Sequence, residues 1–155
     1  MEFGVAWGYT TNFFVTRFKN MSRIDSFDLF TGLPEGWRGL PAGYFENKGT
    51  PPPIIDQRLT FHTGFVEDKI KNLNLDFLGR QPTFILFDLD LYEPTKFTFN
   101  FIFDKLKIGD ILYFDEAYDN DERRILIEEV FPRLETRCVG YTAFSIALQI
   151  TGKLA

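Results

Sequence analysis

Two short apolar runs, TFILFD over residues 83–88 and ILYFD over residues 111–115, constrain this chain more than anything else in it. Both are continuous rather than alternating, so each forms a strand that must be covered on both faces. Each ends on an aspartate. The segment between them, entered through Glu93-Pro94-Thr95, has to carry the chain back so that the second strand runs parallel to the first, and such a crossover is usually a helix. Residues 97–103 (FTFNFIF) partly alternate in the manner of a strand, but the crossover requirement and Pro94 in a first helical turn favour a helix.

The same alternation runs through the rest of the chain. Gly4-Val5-Ala6-Trp7 reads as the end of a first strand. Residues 10–20 read as a helix with Thr10 or Thr11 as N-cap and Phe13, Phe14 and Phe18 on one apolar side. Residues 24–30 and 59–63 read as strands and residues 66–78 as a helix. Residues 120–131 form an amphipathic helix with Ile125, Leu126, Val130 and Phe131 on its core face, and residues 136–151 form two strand-like pieces around Gly140. The fold class that follows is α/β, doubly wound and mostly parallel, with residues 1–155 as a single domain.

Composition narrows the function. The net charge of −5 argues against a phosphate-backbone-binding surface, so no nucleic-acid partner is expected. No apolar run approaches the length of a membrane span, and no basic leader precedes an apolar stretch, so a cytoplasmic protein without a membrane partner is expected. The single cysteine, Cys138, excludes an internal disulfide framework and a cysteine zinc site, and reads as a buried small hydrophobe. The 19 phenylalanines read chiefly as core. The only histidine, His62, lies inside a strand run and reads as a satisfied core or edge residue.

In a doubly wound sheet, ligands bind beyond the C-terminal strand ends, and here those ends carry acids. Glu2, Gly4 and Gly8 form an E-x-G-x-x-x-G pattern whose glycines let backbone approach a ligand. Asp28 closes the second strand, 20 residues beyond Gly8, where an acid can accept from the hydroxyls of a nucleoside ribose. Glu67 and Asp68 follow Gly64. Asp88 and Asp115 close neighbouring strands with Glu116 beside them, and such clustered carboxylates suit a hard divalent cation or a shared proton. Asp90, Glu93, Asp119 and Asp121 read as a solvated acidic rim. The glycine- and proline-rich stretch from Thr31 to Pro53, carrying Trp37, Tyr44 and Phe45, is long enough for a substrate lid.

Five strings, EFGVAWGYT, FDLFTGLPEG, LTFHTGFVED, ILFDLDLYEPTK and GDILYFDEAYD, resemble in order the class I S-adenosylmethionine-dependent methyltransferases, and most closely the macrocin O-methyltransferase family, metal-dependent sugar O-methyltransferases. The resemblance runs from Glu2 through the tail TAFSIALQI. It implies a Rossmann-like sheet, N-terminally truncated because the chain begins inside the first strand. It also implies S-adenosylmethionine as cofactor, with Glu2, Gly4 and Gly8 at its methionine end, Asp28 at the ribose and Glu67 or Asp68 by the adenine. Magnesium is implied on Asp88, Asp115 and Glu116, with Asp88 as ligand and base for a small-molecule acceptor hydroxyl. The Asp115-Glu116 pair departs from the family's Asp-Asp, and glutamate reaches one methylene further. Two other readings stand beside this one. One is a haloacid-dehalogenase-type phosphatase with Asp88 as nucleophile and Asp90 as acid. The other is a methyltransferase-fold binding protein without turnover. The oligomeric state stays open, a homo-oligomer included.

Overall fold

The computed structural model describes residues 1–78 and 81–154. The chain divides into two compact units, Met1–Lys71 and Asn72–Ala155. Among the described residues no helix is long and apolar enough to cross a membrane.

The first unit is built on three parallel strands, β1 (Glu2–Phe3), β2 (Ile24–Asp28) and β3 (Leu59–Thr63), with β2 in the middle. The helix α1 (Tyr9–Arg17) follows β1, and the short helix α2 (Val66–Ile70) follows β3. In β2, Ile24, Asp25, Ser26 and Phe27 are all buried, as a strand covered on both faces requires. Phe3 and Phe27 are register partners and stack at 5.0 Å between ring centroids. Arg58 closes the far end of α1, donating to the carbonyls of Val15 and Phe18 at 2.9 and 2.8 Å, while Asp56 holds its guanidinium.

The second unit pairs β4 (Phe84–Phe87) in parallel with β5 (Ile111–Phe114), and β5 antiparallel with β7 (Ile146–Lys153), which β6 (Leu134–Tyr141) flanks. The crossover from β4 to β5 is the helix α3 (Tyr92–Ile102), continued by a 3-10 turn at Phe103–Lys105, so FTFNFIF is helical as the crossover demands. Pro94 sits in its first turn, where a missing N–H costs no helical bond. Helix α4 (Asn120–Ile125) widens into a π turn over Leu126–Val130. Asp110, buried in the turn before β5, accepts the backbone N–H of Thr83 and of Lys107, both at 2.8 Å, and so ties together the starts of the two parallel strands. Phe87 and Phe114, opposite one another at the other end, stack at 4.8 Å.

The α/β, mostly parallel expectation is met, and six phenylalanines are among the largest fully buried side chains. Several details differ. Residues 4–7 are not strand, because Gly4 takes φ +93 and turns the chain out of β1 at once. Gly8, not Thr10 or Thr11, occupies the N-cap of α1, and of its three phenylalanine positions only Phe14 is buried, Phe13 and Phe18 being exposed. The helix after Gly64 spans only five residues rather than 66–78. Phe131 lies outside the core, half-exposed beyond the π turn. Gly140 lies within β6 at a register shift, and the reversal falls at residues 142–145. Cys138 is exposed, because its stretch of β6 turns its side chains to solvent.

Candidate functional site

In the first unit the glycine pattern becomes a tight loop between β1 and α1. Gly4, Ala6 and Gly8 all take positive φ (93, 47 and 79°), and the Gly4 N–H is donated to the carbonyl of Phe27. Asp28 holds this loop. Its Oδ2 accepts the backbone N–H of Val5 at 2.7 Å and of Ala6 at 2.8 Å, its Oδ1 accepts that of Phe30 at 2.6 Å, and its own carbonyl accepts that of Gly64 at 3.0 Å. Glu2, Gly4, Gly8, Asp28 and Gly64 are therefore brought to one end of the three strands. Asp28 is committed to backbone donors, with one lone pair left on Oδ1.

Glu2 is buried beneath this loop. Its Oε2 accepts the hydroxyls of Thr11 and Ser26, each at 2.6 Å, while Oε1 is buried with no hydrogen-bond partner among the described residues. Burial pushes its carboxyl above the usual range, and the two hydroxyl bonds oppose that only in part. Thr11 and Ser26 escape a reading of the sequence, since nothing in their spacing points at Glu2. Gly8 serves the fold directly: a Cβ there would lie 2.5 Å from Pro52 Cγ, so the proline run packs onto the loop at that point. Glu67 and Asp68 occupy the first turn of α2; Asp68 is exposed, with Lys71 4.0 Å away.

His62 and Asp25 pair lower on the same strands. His62 Nε2 lies 2.9 Å from Asp25 Oδ1, and Arg23 donates to both Asp25 oxygens, at 2.5 and 3.0 Å. His62 also stacks on Phe27 at 4.3 Å, so it is the satisfied residue its strand position implies.

In the second unit Asp88 and Asp115 follow the paired strand ends, and the Asp115 N–H is donated to the carbonyl of Phe87 at 3.1 Å, which sets them side by side. Tyr113 donates its hydroxyl to Asp115 Oδ1 at 3.2 Å. The Glu116 backbone N–H is donated to Glu122 Oε2 at 2.9 Å. Glu122 is fully buried and its Oε1 has no hydrogen-bond partner among the described residues. Burial pushes its carboxyl well above the usual range, and the charges of Asp88, Asp90 and Asp115 push the same way. This residue was missed by sequence reasoning, although Glu122, Ile125 and Leu126 share one helical stripe. The expected acidic rim is not uniform either. Asp90 is buried and takes φ +63, and Asp119 caps α4 through the N–H of Asn120.

No family model matches the chain, and no curated protein sequence does. Solved structures do match. The calicheamicin methyltransferase CalS11 aligns with a TM-score of 0.69 at 22% identity, over 96% of this chain and 70% of its own. The apo form, described as a TDP-rhamnose 3'-O-methyltransferase, gives 0.61 at 23% identity over the same shares, and the O-methyltransferase NovP gives 0.66 at 16% identity over 97% of this chain and 70% of its own. The fold is theirs.

The resemblance read in the sequence implies S-adenosylmethionine, and the first unit's residues are compatible with it. A buried acid with one unpaired oxygen suits an ammonium group, and a loop pinned by backbone bonds offers a fixed edge to a nucleoside. Magnesium fares differently. Among the described residues no three His, Cys, Asp or Glu side chains are gathered so as to hold a metal ion, so the set Asp88, Asp115 and Glu116 gives that expectation no support.

Proposed function

We propose that this chain is an S-adenosylmethionine-dependent O-methyltransferase acting on a hydroxyl of a small molecule, a sugar hydroxyl being the first class to assay. One observation carries the reading. Asp28 Oδ2 accepts the Val5 and Ala6 N–H groups of the loop after β1, and Oδ1 accepts that of Phe30 just beyond β2 and keeps one lone pair, at the end of a parallel sheet where this fold class takes its ligands. The likeness to CalS11 and NovP supports it at the level of fold.

The cofactor supplies a methyl group on a positively charged sulfur, already electrophilic enough to need no further activation. The chain's part is to bind, align and take up a proton. Glu2 Oε1 would accept from the cofactor's ammonium group, and the remaining lone pair of Asp28 Oδ1 from a ribose hydroxyl. Glu67, in the first turn of α2, would face the adenine, with Asp68 as the alternative. Asp88 would accept the proton leaving the acceptor hydroxyl as the new carbon–oxygen bond forms. The acceptor is a free small molecule, with no nucleic acid or membrane in the complex.

Calorimetry with S-adenosylmethionine and S-adenosylhomocysteine tests the first half, and methyl transfer to TDP-rhamnose and simple glycosides tests the second. Each is run with magnesium and with a chelator, which decides the metal question separately. Saturable binding of both nucleosides is expected. Phosphatase activity without such binding would transfer Asp88 and Asp90 to the phosphatase reading, and binding without any methyl transfer would leave a binding protein.

A further inference from the structure

The sheet of the second unit ends on β6. Strand β7 pairs with one side of it, and among the described residues no strand lies on the other. Alternate backbone N–H and C=O groups of β6 therefore face away from β7, and an open edge of this kind is a template for another strand. Proteins blunt such edges with lysines, prolines or bulges, and β6 is blunted only at its ends. Pro132 precedes it. At the other end Val139 is an extra residue, because Cys138 registers with Leu148 and Gly140 with Ala147. The hairpin's other register shift places its extra residue, Thr151, on β7. Residues 134–138 of β6 thus run without an insertion, and Thr136 is their midpoint.

Charge decides what pairs with this stretch. Glu135 and Arg137 lie two residues apart, on one face of the strand, and both are exposed. Arg137 donates to Gln149 Oε1 on the neighbouring strand, at 2.5 Å. Glu135 has no hydrogen-bond or ion-pair partner among the described residues. A strand that meets a second copy of itself antiparallel does so about a two-fold axis, so the residue on the axis faces its own counterpart. With the axis at Thr136, each Glu135 lies opposite Arg137 of the other copy, and each Leu134 opposite Cys138. The whole regular stretch is then used, and two pairs of opposite charge form. An axis at Glu135 or at Arg137 would set like charges directly opposite, which is destabilising.

We propose that β6 is the surface through which two copies of this chain associate, antiparallel and centred on Thr136, each sheet continuing into the other. The occupant is a second copy because the charge pattern of the edge complements itself. Five paired residues flanked by the exposed Val139 and Tyr141 make a small contact, so the dimer is a reversible one. None of these residues belongs to the candidate site, and the proposal stands apart from the methyltransferase reading.

Sedimentation equilibrium of the full chain over a concentration series tests it. Wild type is expected to pass from monomer to dimer as concentration rises through the micromolar range. Glu135→Arg sets arginine opposite arginine, and Arg137→Glu sets glutamate opposite glutamate. Each is expected to weaken dimerisation at least about tenfold. Mixed in equal amounts, the two variants dimerise again, because the arginines of one then face the glutamates of the other. A variant that had merely misfolded would not be rescued by mixing. The double exchange, Glu135→Arg with Arg137→Glu, also restores the wild-type state. Wild type monomeric up to about 1 mM overturns the proposal. So does dimerisation that neither single variant weakens, since another surface would then carry it, and so does a mixture no tighter than its two components.

Discussion

The Asp28 carboxylate accepts the backbone N–H of Ala6 at 2.8 Å, and through the same oxygen that of Val5 at 2.7 Å. One side chain at the end of β2 therefore sets the course of a loop that starts at the end of β1. Asp28→Ala leaves three backbone donors without their acceptor, and hydrogen bonds to a charged group contribute about 1.5–3 kcal/mol each, less than additively. The expected result in urea denaturation is a loss of about 2–4 kcal/mol, with nucleoside affinity falling at least about tenfold. Full retention of nucleoside affinity would remove Asp28 from the site.

Gly8 carries a different prediction. Its φ of +79° and the proximity of Pro52 make any side chain there strained in the protein without ligand. Gly8→Ala is expected to cost about 1–3 kcal/mol in the absence of nucleoside, read by thermal unfolding. Unchanged stability with lost nucleoside binding would return Gly8 to the ligand-contact role its motif suggests.

The strand ends were legible because a continuous apolar run closed by an acid has few structural outcomes. Asp28, Asp88 and Asp115 fall where that logic puts them, and His62 and the α3 crossover do as well. The partners of those acids were not legible. Ser26 and Thr11 reach Glu2 only because β1 and β2 pair in one register and α1 starts at Gly8. Asp28's bonds run to backbone, which has no sequence signature at all. The internal bonds of the stretch from Thr31 to Pro53 were illegible for a related reason: positive φ at glycines 32, 39, 43 and 49 lets the loop fold onto itself through backbone groups.

Asp25 is held by His62 and Arg23 strongly enough to outweigh its burial, which alone would push its carboxyl up; the net result lies below the usual value. A depressed folded-state value means stability present above the unfolded value near 3.8 and lost as pH falls through the folded one. Asp25→Asn is expected to cost about 1–3 kcal/mol at neutral pH. The gap between variant and wild type should narrow below pH 3.8. A gap constant with pH would mean that packing, not charge, is what the substitution removes.

Glu122 works in the opposite sense. Its folded-state value is raised above the unfolded one near 4.5, chiefly by burial and then by the three neighbouring aspartates. The folded protein thus binds this proton more tightly than the unfolded chain, so stability is greatest below the unfolded value and declines as pH rises from there toward the folded one. Glu122→Gln keeps an oxygen to accept the Glu116 N–H but has no proton to lose. The variant should therefore match wild type in acid and exceed it in stability at pH 8, the difference opening as pH climbs past 4.5. Urea midpoints measured across that range decide it. A variant less stable than wild type at every pH would show that the charged carboxylate is itself required, and that a cation, not a proton, balances it among Asp88, Asp90 and Asp115.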